Sequence, residues 1–267
     1  MNHKLIEIPV DDRFIKGFYG QPLLPLLRKE GFDIPSLCHH DSVAPYGGCR
    51  ICLVEIIDKK GRKKLTTSCN FPVMESIRVR TESEEITRHR KMVLELMIAR
   101  APKTPVLEEL CKKYGANQNR LEFPCFTEPC ILCGLCVRVC NEVVGAGVLT
   151  ITGRGAKKRI GTSFGELPDS CIGCGLCANV CPTGAVTTAM KAMESFRCFH
   201  GPDRLCRYAL MGLTPGAVCA KSYECESCEV EHRIAHQMGE HPMMLKKRPD
   251  LDPVKTFLEE RKRARLK

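Results

Sequence analysis

Two cysteine runs with the same spacing constrain this chain more than any other feature of its sequence. Each run reads C-x2-C-x2-C-x3-C, and the runs occupy residues 130–140 and 171–181. Three thiolates on one tight loop reach three corners of a cubane iron–sulfur cluster, while the fourth cysteine is set back and ligates the neighbouring cluster. The repeat therefore predicts two adjacent [4Fe–4S] clusters. A pair of one-electron carriers predicts in turn that the chain transfers electrons.

The crossed arrangement of the fourth cysteines assigns the ligands of each cubane. One cluster is predicted to have the ligands Cys130, Cys133, Cys136 and Cys181. The other is predicted to have the ligands Cys171, Cys174, Cys177 and Cys140. Two zinc knuckles are the alternative, but zinc does not need four cysteines in this spacing and then the same again.

A second set of cysteines lies nearer the N-terminus, with the spacing C-x10-C-x2-C-x16-C. Its members are Cys38, Cys49, Cys52 and Cys69. Three thiolates on a long loop and one from a later turn suit a [2Fe–2S] cluster. Spacing alone leaves a four-cysteine zinc site open as the alternative. Around these cysteines the residue pattern predicts a helix at 22–30 and short strands at 5–8, 14–15, 51–57, 65–67 and 77–80.

Three segments of this N-terminal part resemble a known family. They are GQPLL at 20–24, IPSLCH at 34–39 and GCRICLVE at 48–55. These segments resemble the β-grasp [2Fe–2S] domain that opens the large iron–sulfur subunit of respiratory complex I and the small diaphorase subunit of NAD-linked hydrogenases. The resemblance implies one [2Fe–2S] cluster on Cys38, Cys49, Cys52 and Cys69. It extends through NEVVG at 141–145 and CPTGAV at 181–186, so that it covers roughly residues 3–190.

Between the two cysteine-bearing parts, the sequence predicts a helical linker. Ser83 is the predicted N-cap of a helix whose apolar stripe consists of Ile86, Met92, Val93, Leu96 and Met97. In relatives of complex I this segment carries a further cluster held by one His and three Cys. Here Ala101 stands before Pro102 where that histidine would be expected, and Cys111 is the only thiol of the helical stretch. We therefore predict that this cluster is absent and that Cys111 packs between helices.

The C-terminal part contains a further cysteine set with the spacing C-x12-C-x5-C-x2-C. Its members are Cys206, Cys219, Cys225 and Cys228. Because thiolate suits zinc and iron alike, the sequence predicts either a further iron–sulfur cluster or a structural zinc ion at this set. Cys198 and His200 offer an alternative ligand set or pack in the fold, and Cys125 has no assigned role. His232, His236 and His241 are predicted to be surface residues.

The predicted fold class is α+β, with five parts. These are a β-grasp [2Fe–2S] domain at 1–82, a helical linker lacking the cluster held by one histidine and three cysteines at 83–124, a two-[4Fe–4S] ferredoxin-like domain at 125–190, a small Cys-rich metal or cluster region at 191–240, and a basic tail at 241–267. With 19 cysteines and no tryptophan, we expect metal–thiolate bonds to supply much of the stability.

Disulfides are the alternative use of so many cysteines, and the context of the chain argues against them. The first residues contain no apolar segment of a secretory signal, and no apolar run is long enough to span a bilayer. A reducing cytoplasm favours metal sites over disulfides, so we expect a cytoplasmic location. Three clusters would lower the net charge of +10 to roughly +4. The remaining positive charge is concentrated in basic runs at 246–248 and 261–265, which lack interleaved aromatic residues. We therefore expect the tail to dock on a partner subunit and not on nucleic acid.

The sequence contains no glycine-rich phosphate loop after a strand and no set of catalytic side chains. We predict a non-catalytic electron-transfer subunit of a cytoplasmic NAD(P)-linked oxidoreductase complex, working under anaerobic conditions. The resemblance implies a flavin/NAD-binding partner subunit at one end. At the other end it implies a hydrogenase, formate dehydrogenase or another low-potential reductase. A zinc-stapled scaffold or regulatory subunit is the alternative. A third possibility, an [FeFe]-hydrogenase, needs a large further domain with its own cysteine motifs.

Overall fold

The computed structural model describes residues 5–121 and 127–245, apart from the side chains of 188–190, 235–238 and 245. The chain divides into two compact units, and the boundary between them falls after Cys133. Cys125 and the basic runs at 246–248 and 261–265 lie outside the described residues.

A five-stranded mixed sheet forms the centre of the first unit. Its strands are β1 (Leu5–Val10), β2 (Arg13–Phe18), β3 (Leu53–Ile57), β4 (Lys63–Thr67) and β5 (Arg78–Arg80), in the order β2-β1-β5-β3-β4. β1 pairs antiparallel with β2 and parallel with β5, while β3 is antiparallel to both β4 and β5. The predicted strands are present, and most are longer than the pattern indicated. Together with one crossing helix they form the predicted β-grasp arrangement.

The hydrophobic core of the first unit lies between this sheet and α1 (Leu23–Lys29). Ile6, Ile8 and Val10 of β1 point inward while alternate residues face solvent, as the two-residue period of a strand requires. Gly31 ends α1 in the left-handed conformation, with φ of +83°. Because Cys52 and Cys69 belong to the same core, the cysteine-bearing segments are anchored directly to the sheet.

The linker forms two helices, α2 (Glu84–Arg100) and α3 (Pro105–Tyr114). Ser83 caps α2 as predicted, since its hydroxyl accepts the N–H of Ile86 at 3.2 Å. The predicted apolar stripe is wrong at Met92 and Leu96, whose side chains are 51% and 48% exposed. The buried row of α2 instead repeats every fourth residue and consists of Ile86, Arg90, Leu94 and Ile98. A search for apolar residues missed this row because an arginine occupies one of its positions.

The second unit is built from short elements around the cysteine loops. They are α4 (Leu135–Arg138), a π-helical turn (Val139–Val144), β6 (Leu149–Thr152), β7 (Arg159–Thr162), α5 (Leu176–Asn179), α6 (Thr188–Phe196), α7 (Arg207–Leu210), α8 (Glu229–Met238) and α9 (Pro242–Leu245). β6 and β7 pair antiparallel and separate the two cysteine runs. Among the described residues, no helix combines the length and the apolar character needed to cross a bilayer.

Candidate cluster-binding sites

Four thiols converge in one buried site of the first unit. Each residue is 3% exposed or less, and the set consists of Cys38, Cys49, Cys52 and Cys69. The backbone N–H of Cys49 donates to the Cys38 sulfur at 3.2 Å, and the N–H of Leu37 donates to the Cys49 sulfur at 3.5 Å. The thiol of Cys69 hydrogen-bonds those of Cys38 and Cys52. The long loop and the 3₁₀ turn Ser68–Asn70 therefore bring together the four cysteines that the spacing singled out.

Left-handed residues shape the loop that carries the first three of these thiols. Gly47 has φ of +74°, and a Cβ at this position would lie 2.7 Å from Nδ2 of Asn70. Arg50, between Cys49 and Cys52, has φ of +60°. The N–H of Gly48 also hydrogen-bonds the Cys38 sulfur. Backbone N–H groups thus face sulfur, as they do around a cluster whose thiolates need hydrogen bonds.

The electrostatics of these thiols favour a bound cation. Hydrogen bonds from Cys49 and Cys69 lower the pKa of Cys38 to about 2, and a hydrogen bond from Cys69 lowers the pKa of Cys52 to about 6. The pKa values of Cys49 and Cys69 are raised, because each donates to a neighbouring thiolate and both are buried. Hydrogen bonds within the set therefore stabilise thiolates at Cys38 and Cys52. Four thiolates this close repel one another, so ligation by all four sulfurs requires the positive charge of a bound metal centre.

A buried arginine braces this site from α2. Arg90 is 2% exposed, and its Nε donates to the carbonyl oxygen of Ile51 at 3.2 Å. Its Nη2 donates to the carbonyl oxygens of Leu53 at 2.8 Å and Thr81 at 3.4 Å. Ile51 and Leu53 flank Cys52, so α2 fixes the backbone that carries one of the predicted ligands. Sequence reasoning missed this role because an arginine within a helix is typical of a surface position.

A second group of thiols lines one cavity of the second unit. Its sulfur-bearing lining residues are Cys140, Cys171, Cys174 and Cys177. The N–H of Val148 donates to the Cys140 sulfur at 3.4 Å. Burial and the neighbouring thiols raise the pKa of Cys177 to about 12. The set combines the first three cysteines of the second run with the set-back cysteine of the first run. This is the combination that the crossed arrangement of two adjacent cubanes predicts.

The two cysteine runs share one loop conformation. The third and fifth residues of each run are left-handed, with φ of +53° at Leu132, +72° at Gly134, +58° at Gly173 and +81° at Gly175. Gly173 also lies against α6, since a Cβ there would meet Met193 Cε at 2.1 Å and Phe196 Cε2 at 3.1 Å. The shared backbone path indicates that both runs wrap the same kind of group.

The other predicted cubane set is divided by the boundary between the units. Cys130 and Cys133 end the first unit, and Cys136 and Cys181 belong to the second. Cys133 and Cys136 are buried, whereas Cys130 and Cys181 are half-buried. The assignment of these four as ligands of one cluster rests on their spacing.

The C-terminal cysteines of the second unit line one further pocket. They are the predicted set Cys206, Cys219, Cys225 and Cys228. Arg207, Glu231 and Tyr223 line the same pocket, and no sequence motif indicated a role for them. Cys198 and His200 are exposed and do not line it, and the Cys198 thiol donates to the carbonyl oxygen of Ser195 at 3.0 Å.

The remaining candidate residues have structural surroundings. Cys111 is fully buried in α3, as predicted for a packing thiol, and burial raises its pKa. His232 is exposed as predicted, and the side chain of His236 lies outside the described residues. The surface prediction for His241 is wrong, because its half-buried ring places Nε2 2.8 Å from the carbonyl oxygen of Cys174. This contact joins residues 67 positions apart, which no local pattern could reveal.

Comparison with known domains agrees with these sites. Residues 3–84 match a 2Fe-2S iron-sulfur cluster binding domain, and residues 129–185 match a 4Fe-4S dicluster domain. One [2Fe–2S] cluster and two [4Fe–4S] clusters are the cofactors predicted for the corresponding cysteines, so the cofactor prediction for these two domains is confirmed. The C-terminal cysteine set lies outside both matches.

Known proteins with similar sequences include subunits of two oxidoreductases. The chain is 33% identical over 184 residues to the NADPH-Fe(3+) oxidoreductase subunit alpha of Geobacter sulfurreducens, a match that covers 60% of this chain and 21% of that protein. It is 31% identical over 182 residues to the mitochondrial NADH-ubiquinone oxidoreductase 78 kDa subunit of Candida albicans, covering 59% of this chain and 25% of that protein. The chain thus spans about a fifth to a quarter of the length of these curated relatives.

A solved structure of similar fold is that of an NAD+-reducing [NiFe]-hydrogenase in the H2-reduced state. The TM-score is 0.58 at 28% sequence identity, and the match covers 67% of this chain and 86% of that chain. The resemblance inferred from the sequence motifs is confirmed. The chain therefore contains a 2Fe-2S cluster-binding domain followed by a 4Fe-4S dicluster domain, and it is similar to subunits of NADPH- and NADH-linked oxidoreductases and to a chain of an NAD+-reducing hydrogenase.

Proposed function

We propose that this chain is an electron-transfer subunit of a cytoplasmic NAD(P)-linked oxidoreductase complex. It relays electrons between a flavin/NAD-binding partner subunit and a terminal low-potential enzyme such as a hydrogenase or formate dehydrogenase. The observation that carries the proposal is the gathering of separate thiol sets in a chain with a 2Fe-2S domain and a dicluster domain. Such clusters supply one-electron steps, and several of them on one chain form a path.

The proposed ligands follow the thiol groups described above. Cys38, Cys49, Cys52 and Cys69 hold the [2Fe–2S] cluster, and their mutual hydrogen bonds support this assignment. Cys140, Cys171, Cys174 and Cys177 hold one [4Fe–4S] cluster, supported by their shared cavity. Cys130, Cys133, Cys136 and Cys181 hold the other, supported by their spacing and by the shared loop conformation. The domains are those outlined from the sequence, from the β-grasp domain at 1–82 to the basic tail at 241–267.

The partner subunits follow from the chemistry that this chain does not supply itself. A nicotinamide gives up two electrons as hydride, and a flavin converts this pair into single-electron steps. The names of the similar proteins contain NADPH, NADH or NAD+, which supports a nicotinamide-oxidising or nicotinamide-reducing partner. The thiols of the present chain require a reducing compartment, which supports the cytoplasm.

The test is a reductive titration of the anaerobically purified chain, followed by its absorbance. Sodium dithionite should bleach the clusters with an uptake of at least about three electrons per chain, one per cluster. Oxidised benzyl viologen should then remove the electrons and restore the absorbance. NADH alone should leave the clusters oxidised. Bleaching by NADH alone would mean that this chain has its own nicotinamide chemistry, and irreversible bleaching would contradict a relay.

A further inference from the structure

The four C-terminal cysteines are carried by three chain segments that fold together in the second unit. Leu205 and Val218 form an antiparallel bridge. The N–H of Cys206 donates to the carbonyl oxygen of Ala217 at 2.8 Å, and the N–H of Cys219 donates to that of Arg204 at 2.7 Å. Cys206 and Cys219 therefore lie on adjacent segments that are joined by backbone hydrogen bonds. Cys225 begins a 3₁₀ turn and Cys228 directly precedes α8, so all four line one pocket.

The pocket offers hydrogen bonds to sulfur. The backbone N–H of Tyr223 donates to the Cys219 sulfur at 3.2 Å. The tyrosine itself is 5% exposed, and its hydroxyl donates to the carbonyl oxygen of Leu205 at 3.0 Å. The ring thus closes one side of the pocket with its polar atom satisfied. An N–H group directed at a thiolate is the contact that stabilises a metal-bound sulfur.

A charged pair forms another side of the pocket. Arg207 Nη2 lies 3.1 Å from Glu231 Oε1, and both side chains are largely buried. Nε of Arg207 and Oε2 of Glu231 are also buried and have no hydrogen-bond partner among the described residues. Arg207 interacts electrostatically with Cys225 of this pocket and with Cys174 of the neighbouring cubane cavity. A fixed positive charge therefore lies within range of both thiol groups.

The arrangement of the thiols distinguishes a cluster from a single ion. Zinc binds thiolates at about 2.3 Å, so the sulfurs of a zinc site crowd around one point. Within the described residues, no three Cys, His, Asp or Glu side chains converge in that way. The four thiols instead line one pocket without closing on a single point, as Cys140, Cys171, Cys174 and Cys177 line theirs. We propose that Cys206, Cys219, Cys225 and Cys228 hold a further [4Fe–4S] cluster.

Packing within the second unit gives this cluster a place in electron transfer. Phe196 lies against Gly173 of the cubane loop, and its ring centroid is 5.6 Å from that of Tyr223. Tyr223 in turn contacts Cys219 through its N–H. Phe196 and Tyr223 therefore connect the two thiol groups through a chain of contacts. The C-terminal cysteines would thus hold a one-electron carrier beside the one that Cys140, Cys171, Cys174 and Cys177 would hold, which rests on the proposed function above.

The experiment measures iron, zinc and acid-labile sulfide per chain in anaerobic full-length protein, together with dithionite uptake. The wild type should contain about 14 iron atoms, about 14 sulfides and no zinc, and it should take up about four electrons. The double variant Cys225→Ser/Cys228→Ser should contain about 10 iron atoms and take up about three electrons. The control is Cys198→Ser, an exposed thiol outside the pocket, which should match the wild type.

A wild-type content of about 10 iron atoms, with or without one zinc, would overturn this inference while the other three clusters upheld the proposed function. An absence of iron and sulfide would contradict both this inference and the proposed function. The wild-type counts decide the question even where the double variant misfolds. The EPR signal of the [2Fe–2S] cluster, which belongs to the first unit, reports whether loss of iron in a variant is confined to the second unit.

Discussion

At the scale of single residues, the cysteines were predictable and their charged neighbours were not. The spacing of a ligand run can be recognised in the sequence, because three thiolates must reach one cluster from one loop. Arg90 reaches its site from α2 through contacts that span at least nine residues of sequence, and Arg207, which follows Cys206, pairs with Glu231 24 residues away. No local pattern encodes these two sets of partners. The two arginines nevertheless give the sharpest residue-level predictions.

Arg90→Met should weaken the first unit. The carbonyl oxygens of Ile51, Leu53 and Thr81 accept hydrogen bonds from the Arg90 guanidinium. The substitution removes this charged donor from all three. We expect a loss of about 3 kcal/mol in the free energy of unfolding and faster loss of the [2Fe–2S] absorbance in urea. The matched control is Arg88→Met, an exposed position on the same helix. Equal rates of cluster loss in the two variants would show that Arg90 does not brace the loop.

Arg207→Gln should make the clusters near it harder to reduce. Reduction adds negative charge, so removal of a nearby positive charge lowers the reduction potential. A tenfold change in a one-electron equilibrium corresponds to about 59 mV, and we expect a shift on this order. Glu231→Gln should shift the potential in the opposite direction, and Arg207→Lys should restore most of the wild-type value. Redox titration followed by EPR measures these shifts. Shifts of the same sign in Arg207→Gln and Glu231→Gln would indicate a structural effect instead of an electrostatic one.

At the scale of elements, periodicity and turn residues predicted most of the first unit, and tertiary packing determined the rest. The hairpin, α1 and the capped start of α2 follow from alternation, glycine and Ser83. The buried face of α2 could not be predicted in this way, because Arg90 occupies one position of its buried row. In the second unit, the bridge between Leu205 and Val218 and the His241 contact to Cys174 arise from packing around the cysteine loops. Segments as short as these carry no periodic signal.

Two glycine substitutions separate loop strain from packing. Gly134 and Gly173 are both left-handed, so an added Cβ costs about 1 kcal/mol of backbone strain at either position. At Gly173 the Cβ would also meet Met193 and Phe196, whereas no described residue lies within 4 Å of it at Gly134. Gly173→Ala should therefore force the Met193 and Phe196 side chains to shift and should increase the rate of cluster loss in air more than Gly134→Ala. Equal rates in the two variants would mean that retention of the cluster does not depend on this contact.

At the scale of the whole molecule, the two units should respond differently to removal of metal. The first unit buries an extensive apolar core between its sheet and α1, whereas the second is assembled from short elements around cysteine loops. Chelation under reducing conditions should therefore unfold the second unit and leave the sheet of the first largely protected. Amide hydrogen exchange measures this directly. Complete exchange of β1 and β3 in the chelated protein would contradict the prediction.

The metal content of this chain tests most directly whether it is an iron–sulfur electron carrier. Iron, zinc and acid-labile sulfide should be measured per chain on protein purified without oxygen. We predict equal amounts of iron and sulfide, at least about 10 of each, and no zinc in the sites formed by the cysteines of the 2Fe-2S and dicluster domains. Zinc at these sites, with little sulfide, would contradict the electron-carrier function and would favour a zinc-stapled scaffold.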